Sequence, residues 1–370
     1  MRAIIYPYNL SVSQIMRKRN LLNQLDIQDY VTPRGYLEEG KDLSCIDEDS
    51  FTGINAKNDF MKSLEMVDTV IWAEYLHYLR LDCKNSFKNT IFKNIENAIN
   101  EGKDIFCLER LSNDEKEYFN KIAMRKKIKF TYFNAEIDNN QVIAQNNAID
   151  IPVIGVMGLN DNCMKFNSQL ILRESLQKHG YKVSQIGSKH YSELFGFHSF
   201  PSFIFDYNIS IIEKIYAFRK FILKIIQEEV PNVMIIGIPR GILNTSDTII
   251  DNFGIIAYLV TCSVKFDYSI LNIPCFSINN DFLQEIELLM KYKYGVPLNA
   301  IIQSNIVVDL MDEGRLNYNC YKVLSSSEAK RMYEDNLNLC KPVFSVLDHE
   351  CGEKLIRSIE NTFAKRVFAI

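Results

Sequence analysis

The chain is missing most of the short motifs that announce a chemistry. Its nine cysteines (Cys45, Cys83, Cys107, Cys163, Cys262, Cys275, Cys320, Cys340 and Cys351) include no C-x-x-C pair, and their number is odd. A zinc ribbon and a disulfide framework are therefore not expected. No G-x-G-x-x-G occurs, so nothing supports a dinucleotide site in the first half. G-x-S-x-G and H-E-x-x-H are absent too, which removes the common serine-hydrolase and zinc-protease patterns. No apolar run reaches the roughly 20 residues that span a bilayer. The apolar stretch 203–226 is interrupted by Asp206, Glu213, Lys214, Arg219, Lys220 and Lys224, and reads as a core-packed helix. The net charge is −4, with no polybasic arm or acidic tail. The short basic run Arg125–Lys129 suits the end of a helix. Met1-Arg-Ala-Ile-Ile-Tyr-Pro7 is too short an apolar run for a secretory signal. A cytoplasmic protein with no nucleic-acid or membrane partner is expected, and its oligomeric state is left open.

What the chain does have is a globular composition. Hydrophobic residues make up 47% and charged residues 24% of its 370 positions. That length predicts two domains. Over the first 135 residues, strand and helix signals alternate. Helices are expected over 11–25, 87–100 and 114–127, and strands over 3–6, 27–31, 67–72, 104–108 and 128–133. An Asn-rich stretch, 134–151, reads as a linker, placing a boundary near residue 150. The second half begins again with a strand over 153–157, a helix over 165–178 and a strand over 183–186. A long helix over 209–228 and a buried strand over 232–236 follow. Then come a helix over 246–253 ended by Gly254, strands over 255–260 and 273–276, and a helix over 281–292. Strands over 300–302 and 306–310 and helices over 325–337 and 352–363 close the chain. Strands alternating with helices predict parallel β-α-β units in an α/β fold.

One segment carries chemistry. A buried strand runs into Gly158-Leu-Asn-Asp-Asn-Cys-Met-Lys165, then a helix. This is the layout of a phosphate-binding loop, in which backbone N–H groups at a helix start meet an anion. The pattern G-x-x-x-x-G-K-[ST] is not met. Lys165 lies seven residues after Gly158 instead of six, Met164 stands where the last glycine belongs, and Phe166 and Asn167 follow the lysine. In a parallel sheet, ligands bind beyond the carboxyl ends of the strands. Two further loops should meet there: Gly187-Ser-Lys-His190, and Gly237-Ile-Pro-Arg240-Gly241. The candidate ligand-binding residues are Gly158, Lys165, Asn167, Gly187, Gly237, Arg240 and Gly241. The expected ligand is a phosphate or carboxylate, with ATP or GTP plus magnesium as one form of it. Asp206 and Asp309 are the weak candidates for holding a metal; each reads equally as a cap or turn residue. His190, Glu193 and His198 lie close in sequence, but surface polar groups are the plainer reading. Cys163 is either an activated thiol at a helix start or a loop residue, and Cys107 and Cys275 read as small buried hydrophobes.

Gly158-x-x-x-x-x-Met164-Lys165-Phe166-Asn167-x-Gln169-Leu-x-Leu172-Arg173-Glu174, then Gly180-Tyr181-Lys-Val183-x-Gln185-Ile-Gly187 and Leu194-Phe195-Gly196, resembles a clostridial family of peptide maturation system proteins. It is distantly similar to two-domain proteins that pair a Rossmann-like domain with a P-loop-NTPase-like domain. Ile235-Ile-Gly237-Ile-Pro-Arg-Gly241 and Phe253-Gly254 fit the same pattern. The resemblance implies a Rossmann-like domain over 1–150 and a P-loop-NTPase-like domain over 151–370. It implies a role in maturing a ribosomally made, bacteriocin-like peptide, beside a precursor peptide, a radical-SAM-type maturase or a carrier protein. Relatives of this type are expected to have a glycine before the lysine and a threonine two residues beyond it, where this chain has Met164 and Asn167. An accessory factor with little or no nucleotide hydrolysis is the reading adopted. An ATP- or GTP-dependent ligase or kinase, and acyl transfer from a coenzyme-A-type ligand, are the alternatives.

Overall fold

The computed structural model describes residues 1–22, 25–75, 84–133, 148–243, 254–309 and 320–367. The expected helix 246–253 lies outside them. Two compact units divide the chain: Met1–Phe133 with Leu194–Gly196, and Asn134–Glu193 with Phe197–Ile370.

Unit 1 contains β1 (Arg2–Tyr6), α1 (Ser13–Arg17), β2 (Asp26–Tyr30), α2 (Ser44–Asp47) and α3 (Phe60–Leu64). It continues through β3 (Thr69–Trp72), α4 (Lys84–Asn100), β4 (Asp104–Cys107), α5 (Asn113–Lys126) and β5 (Phe130–Tyr132). The strands pair in parallel in the order β2-β1-β3-β4-β5. That is the doubly wound, flavodoxin-like order within the Rossmann-like class, whose switch point falls between β1 and β3. Alternate residues Ile4 and Tyr6, Val70 and Trp72, Ile105 and Cys107 form one buried face under Ile91, Ile95 and Ile99 of α4 and Phe119 of α5. Period-two alternation is what puts these residues on one face. The helix expected over 11–25 is broken: a 3-10 turn, the five residues of α1 and a second 3-10 turn replace it. Asn9 caps the first turn, accepting from Ser11 N.

Unit 2 contains β6 (Val153–Gly158), α6 (Lys165–Lys178), β7 (Val183–Ile186), α7 (Ile211–Glu229), β8 (Val233–Gly237), α8 (Ile255–Ser263) and β9 (Tyr268–Ile273). After these come α9 (Asn280–Lys293), β10 (Ala300–Gln303), β11 (Ile306–Asp309), β12 (Cys320–Val323), α10 (Ser326–Asp335), β13 (Val343–Ser345) and α11 (Cys351–Val367). The main sheet is parallel, in the order β13-β10-β9-β6-β8-β7. Phe218 and Ile222 of α7, Leu259 and Val260 of α8, and Ile286 and Met290 of α9 cover one face. Leu172 and Leu176 of α6 and Leu355 and Ile359 of α11 cover the other. Unit 2 is thus a P-loop-NTPase-like three-layer sandwich, its central strands buried on both sides.

Two strand readings are overturned in this unit. Residues 255–260 belong to helix α8, and Gly254 begins it, in the left-handed region at φ 67°, where it was expected to end a preceding helix. The strand expected at 273–276 lies earlier, as β9. Asp206 does not cap α7. Ser210 does, accepting from Glu213 N while the Glu213 carboxylate accepts from Ser210 N.

Candidate functional site

The topology singles out one strand end. From β6 the chain crosses to β7 through α6 on one face. The later connections through α7, α8 and α9 lie on the other face. Both neighbours of β6, namely β8 and β9, therefore lead into helices opposite α6. The carboxyl end of β6 is flanked by crevices of the kind in which ligands settle.

Lys165 stands at that place, as the first residue of α6. Its side chain is 5% exposed and turns back into its own loop. Nζ donates to Asp161 O at 2.6 Å and to Asn160 O at 3.3 Å, and lies 3.3 Å from Asp161 Oδ1. The other Asp161 oxygen, Oδ2, lies 3.3 Å from Arg240 Nη1. One carboxylate thus bridges the two cations that the sequence offers to a ligand. Asp161 is the anionic partner of both. It was not among the candidate residues, although its i, i+4 spacing to Lys165 was visible.

The glycines make room for protein atoms. A Cβ on Gly158 would meet Cys163 Sγ and Lys165 Cδ, both at 2.5 Å. A Cβ on Gly187 would lie 2.1 Å from Ser192 Oγ, one on Gly237 2.0 Å from Gln169 Oε1, and one on Gly241 2.6 Å from Asn160 Cα. Each of these glycines is packed closely against a neighbouring side chain or loop. Ile242 N donates to Gly158 O at 2.9 Å and Leu243 N to Leu159 O at 3.0 Å, laying the loop after β8 along the loop after β6.

The first turn of α6 fills both crevices. Towards β9, the Ser168 hydroxyl donates to Asn272 Oδ1, and Asn272 Nδ2 donates to Met157 O at 3.0 Å. Towards β8, Gln169 lies against Gly237. Its Nε2 donates to Ser188 Oγ at 2.9 Å and to Lys165 O at 3.0 Å, and its Oε1 accepts from Ser188 N at 3.0 Å. Asn167 is buried beside them. Met164, before Lys165, sits in the left-handed region at φ 56° with no side-chain cap on the helix, and Arg240 sits there at φ 67°. Strained residues of this kind gather at functional loops. Asn160 Oδ1 is buried in the same loop without a hydrogen-bond partner among the described residues.

The other candidates fall elsewhere. Asp206 is exposed and closes a turn, accepting from Asn208 N at 2.8 Å. Asp309 ends β11 in a separate two-stranded antiparallel sheet with β12. His198 Nε2 lies 2.5 Å from Glu229 Oε1, and the Glu229 carboxylate also accepts from the Ser184 hydroxyl. Among the described residues no group of three acidic, histidine or cysteine side chains could hold a metal. Cys163 is fully buried, and burial pushes its thiol up in spite of Lys165 nearby; an activated thiol is not what the loop makes. Cys107 and Cys275 are buried as expected.

No family model matches the sequence, and no curated protein does. Solved structures are similar to it, and the one with a TM-score above 0.5 shares its fold. A DUF1611 family protein from Anabaena variabilis superposes with a TM-score of 0.64 over 97% of this chain and 99% of its own, at 11% identity. A GTPase from Pyrococcus abyssi, in its apo form, gives 0.32 over 57% of this chain and 97% of its own, at 14% identity. A nucleotide-binding protein from Archaeoglobus fulgidus, in complex with ADP, gives 0.25 over 57% of this chain and 86% of its own, at 13% identity. At such identities the first likeness is one of fold alone. Among the described residues no helix is long and apolar enough to cross a membrane.

Proposed function

We propose that unit 2 is a phosphate-loop scaffold that has given up nucleotide hydrolysis and holds its own carboxylate where a ligand's phosphate would lie. The observation that carries this reading is Asp161 between Lys165 and Arg240. A nucleotide would have to displace a carboxylate already in contact with both cations. It would also have to enter beside Ser168 and Gln169, which are buried and hydrogen-bonded. Anion binding by this loop is weak, and ATP or GTP hydrolysis is absent. The sequence resemblance supplies the biological setting: an accessory factor in the maturation of a ribosomally made peptide, recruiting precursor peptide, maturase or carrier through its surfaces.

Calorimetric titration with ATP, GTP and coenzyme A, each with and without magnesium, tests the loop. The native chain is expected to bind none of them tightly. Asp161→Asn, which removes the internal charge and keeps the shape, raises anion affinity about tenfold, some 1.4 kcal/mol. Lys165→Ala abolishes what binding there is. Magnesium-dependent micromolar binding with turnover by the native chain would establish a ligase or kinase instead, and tight coenzyme A binding an acyl transferase. Co-purification with the precursor peptide tests the setting separately.

A further inference from the structure

The phosphate loop lies at the carboxyl end of the unit 2 sheet. At the amino end, β10 and β13 are entered by the 295–299 segment and by Lys341-Pro342. Between these segments and α9 lies a cavity of about 620 Å³. That volume is in the range of small-molecule sites and far exceeds what a structural water needs. Gln284, Glu287, Leu288 and Lys291 line it from α9. Their spacing of three and four residues puts them on one helix face. The rest of the lining comes from the 295–299 segment and Lys341.

The walls are tied to the sheet and to each other. Val296 N donates to Met290 O at 3.1 Å, folding the segment back onto the end of α9. Asn299 N donates to Ser269 O at 3.2 Å, and Asn299 Oδ1 accepts from Ser269 N at 2.9 Å. Ile301 N donates to Pro342 O at 3.0 Å, which holds the Lys341 segment beside β10. Lys341 Nζ lies 2.5 Å from Glu287 Oε1, joining that segment to α9. A cavity with fixed walls spends little binding energy on ordering them.

Charge and polarity define what fits. The ionisable side chains of the lining are Glu287, Lys291 and Lys341. Glu287 and Lys341 neutralise each other. Among the described residues no carboxylate pairs with Lys291, whose ammonium lies 5.2 Å from the Tyr292 ring centroid. Lys291 is in the last turn of α9, where a cation suits the helix dipole. That accounts for its charge but not for the cavity beside it. The lining thus carries one positive charge in excess, which selects a monoanion; a phosphate monoester, with nearly two charges, matches it poorly. Buried Val296 and Leu298 and exposed Leu288 give the cavity an apolar wall. Gln284 adds a side-chain amide, and Asn299, whose oxygen is already taken, keeps its Nδ2 as a donor.

We propose that this cavity binds an apolar monocarboxylate, its charge against Lys291 and its body against Leu288, Val296 and Leu298. The two side-chain amides favour a ligand with a peptide bond next to the carboxylate, as at the carboxyl terminus of a peptide. Binding changes no covalent bond and is independent of Asp161 and the phosphate loop.

Calorimetry on the full chain at pH 7 tests the site with hexanoate, with Nα-acetyl-Ala-Leu and with the carboxamide of that dipeptide. The dipeptide acid should bind saturably and more tightly than hexanoate, and its carboxamide about tenfold more weakly, since a hydrogen bond to a charged group is lost. Tighter binding of hexanoate overturns the peptide assignment in favour of a free aliphatic acid. Lys291→Ala, at an exposed position, should keep the native melting curve and weaken both acids about tenfold. Lys291→Arg should retain most of the affinity. Should Lys291→Ala melt early, Lys291→Gln is read in its place. Gln284→Ala should weaken the dipeptide several-fold and leave hexanoate unchanged; equal effects on the two overturn the amide contact. Failure of both acids to saturate, equal binding of acid and carboxamide, or native affinity in Lys291→Ala overturns the site. Loss of binding in Lys165→Ala, with Lys291→Ala unaffected, places the acids on the phosphate loop and overturns the cavity as their site.

Discussion

At the residue scale, Gly237 shows how a glycine placed like a motif letter can serve packing. It ends β8 where a phosphate-binding protein would bring backbone close to its ligand, yet the space above it holds the Gln169 amide. An added methyl would lie 2.0 Å from Gln169 Oε1 and would force that amide off Ser188. Overpacking of this kind costs about 1–3 kcal/mol, and the displaced amide adds unmet hydrogen bonds. Gly237→Ala is therefore expected to lower the urea midpoint of unit 2 by a clear margin. Gln169→Ala placed in the same chain should recover part of the loss, because it removes the colliding atoms. If Gly237→Ala unfolds at the native midpoint, Gln169 is not what fills the space. Lys165 belongs to the same logic: a buried cation is kept by its partners, two carbonyl oxygens and Asp161, and needs no ligand to be stable.

At the element scale, helix starts separate ordinary construction from the unusual. α5, α7 and α10 each begin with a serine cap and a glutamate three residues on, in reciprocal hydrogen bonds. Replacing such a cap by alanine costs about 1 kcal/mol, so Ser210→Ala should lower the thermal midpoint of unit 2 modestly. α6 has no side-chain cap and starts from Met164 in the left-handed region. Met164→Gly restores the motif's glycine and relieves roughly 1 kcal/mol of backbone strain. Anion affinity should nevertheless stay within about twofold of native, a difference near 0.4 kcal/mol, because Asp161 still holds Lys165. A large gain from Met164→Gly alone, read by calorimetry, would show that backbone shape and not Asp161 is the barrier. The order of the elements was legible: strands 153–157, 183–186 and 232–236 and helices 165–178 and 209–228 match β6, β7, β8, α6 and α7 within a few residues. Residues 255–260 were not legible, since Ile-Ile-Ala-Tyr-Leu-Val is apolar at every position and periodicity cannot separate a buried strand from a buried helix turn. β9 was displaced because Ser269 and Asn272 interrupt its apolar run, although both are fully buried, Asn272 bonding Ser168 and Ser269 donating its backbone N–H to the Asn299 side chain. The phosphate-loop layout could be read from spacing. Its occupation by Asp161 could not, because that depends on how six loop residues fold back over Gly158.

At the scale of the whole molecule, the two units carry opposite responses to pH. In unit 1, burial pushes the carboxyl of Glu109, which follows β4, from its ordinary value near 4.5 up to about 8. The folded unit therefore holds more protons than the unfolded chain between those values, and stability falls as pH rises through that window. The full contribution is present below about pH 4.5 and is lost above about pH 8. In unit 2, the hydrogen bond from His198 lowers the Glu229 carboxyl, so its contribution is present at neutral pH and is lost only as pH falls below the ordinary carboxylate range. Scanning calorimetry at pH 5, 7 and 9 should accordingly show one transition moving down steadily while the other holds its position between pH 5 and 7. Glu109→Gln, a neutral stand-in for the protonated acid, should flatten the moving transition and leave the other unchanged. Isotope exchange with mass spectrometry then assigns each transition to its sheet. Should the pH-sensitive transition belong to residues 151–367, or survive Glu109→Gln intact, buried Glu109 after β4 is not the source of the dependence, and the charge that destabilises the molecule on the alkaline side must be sought in another group.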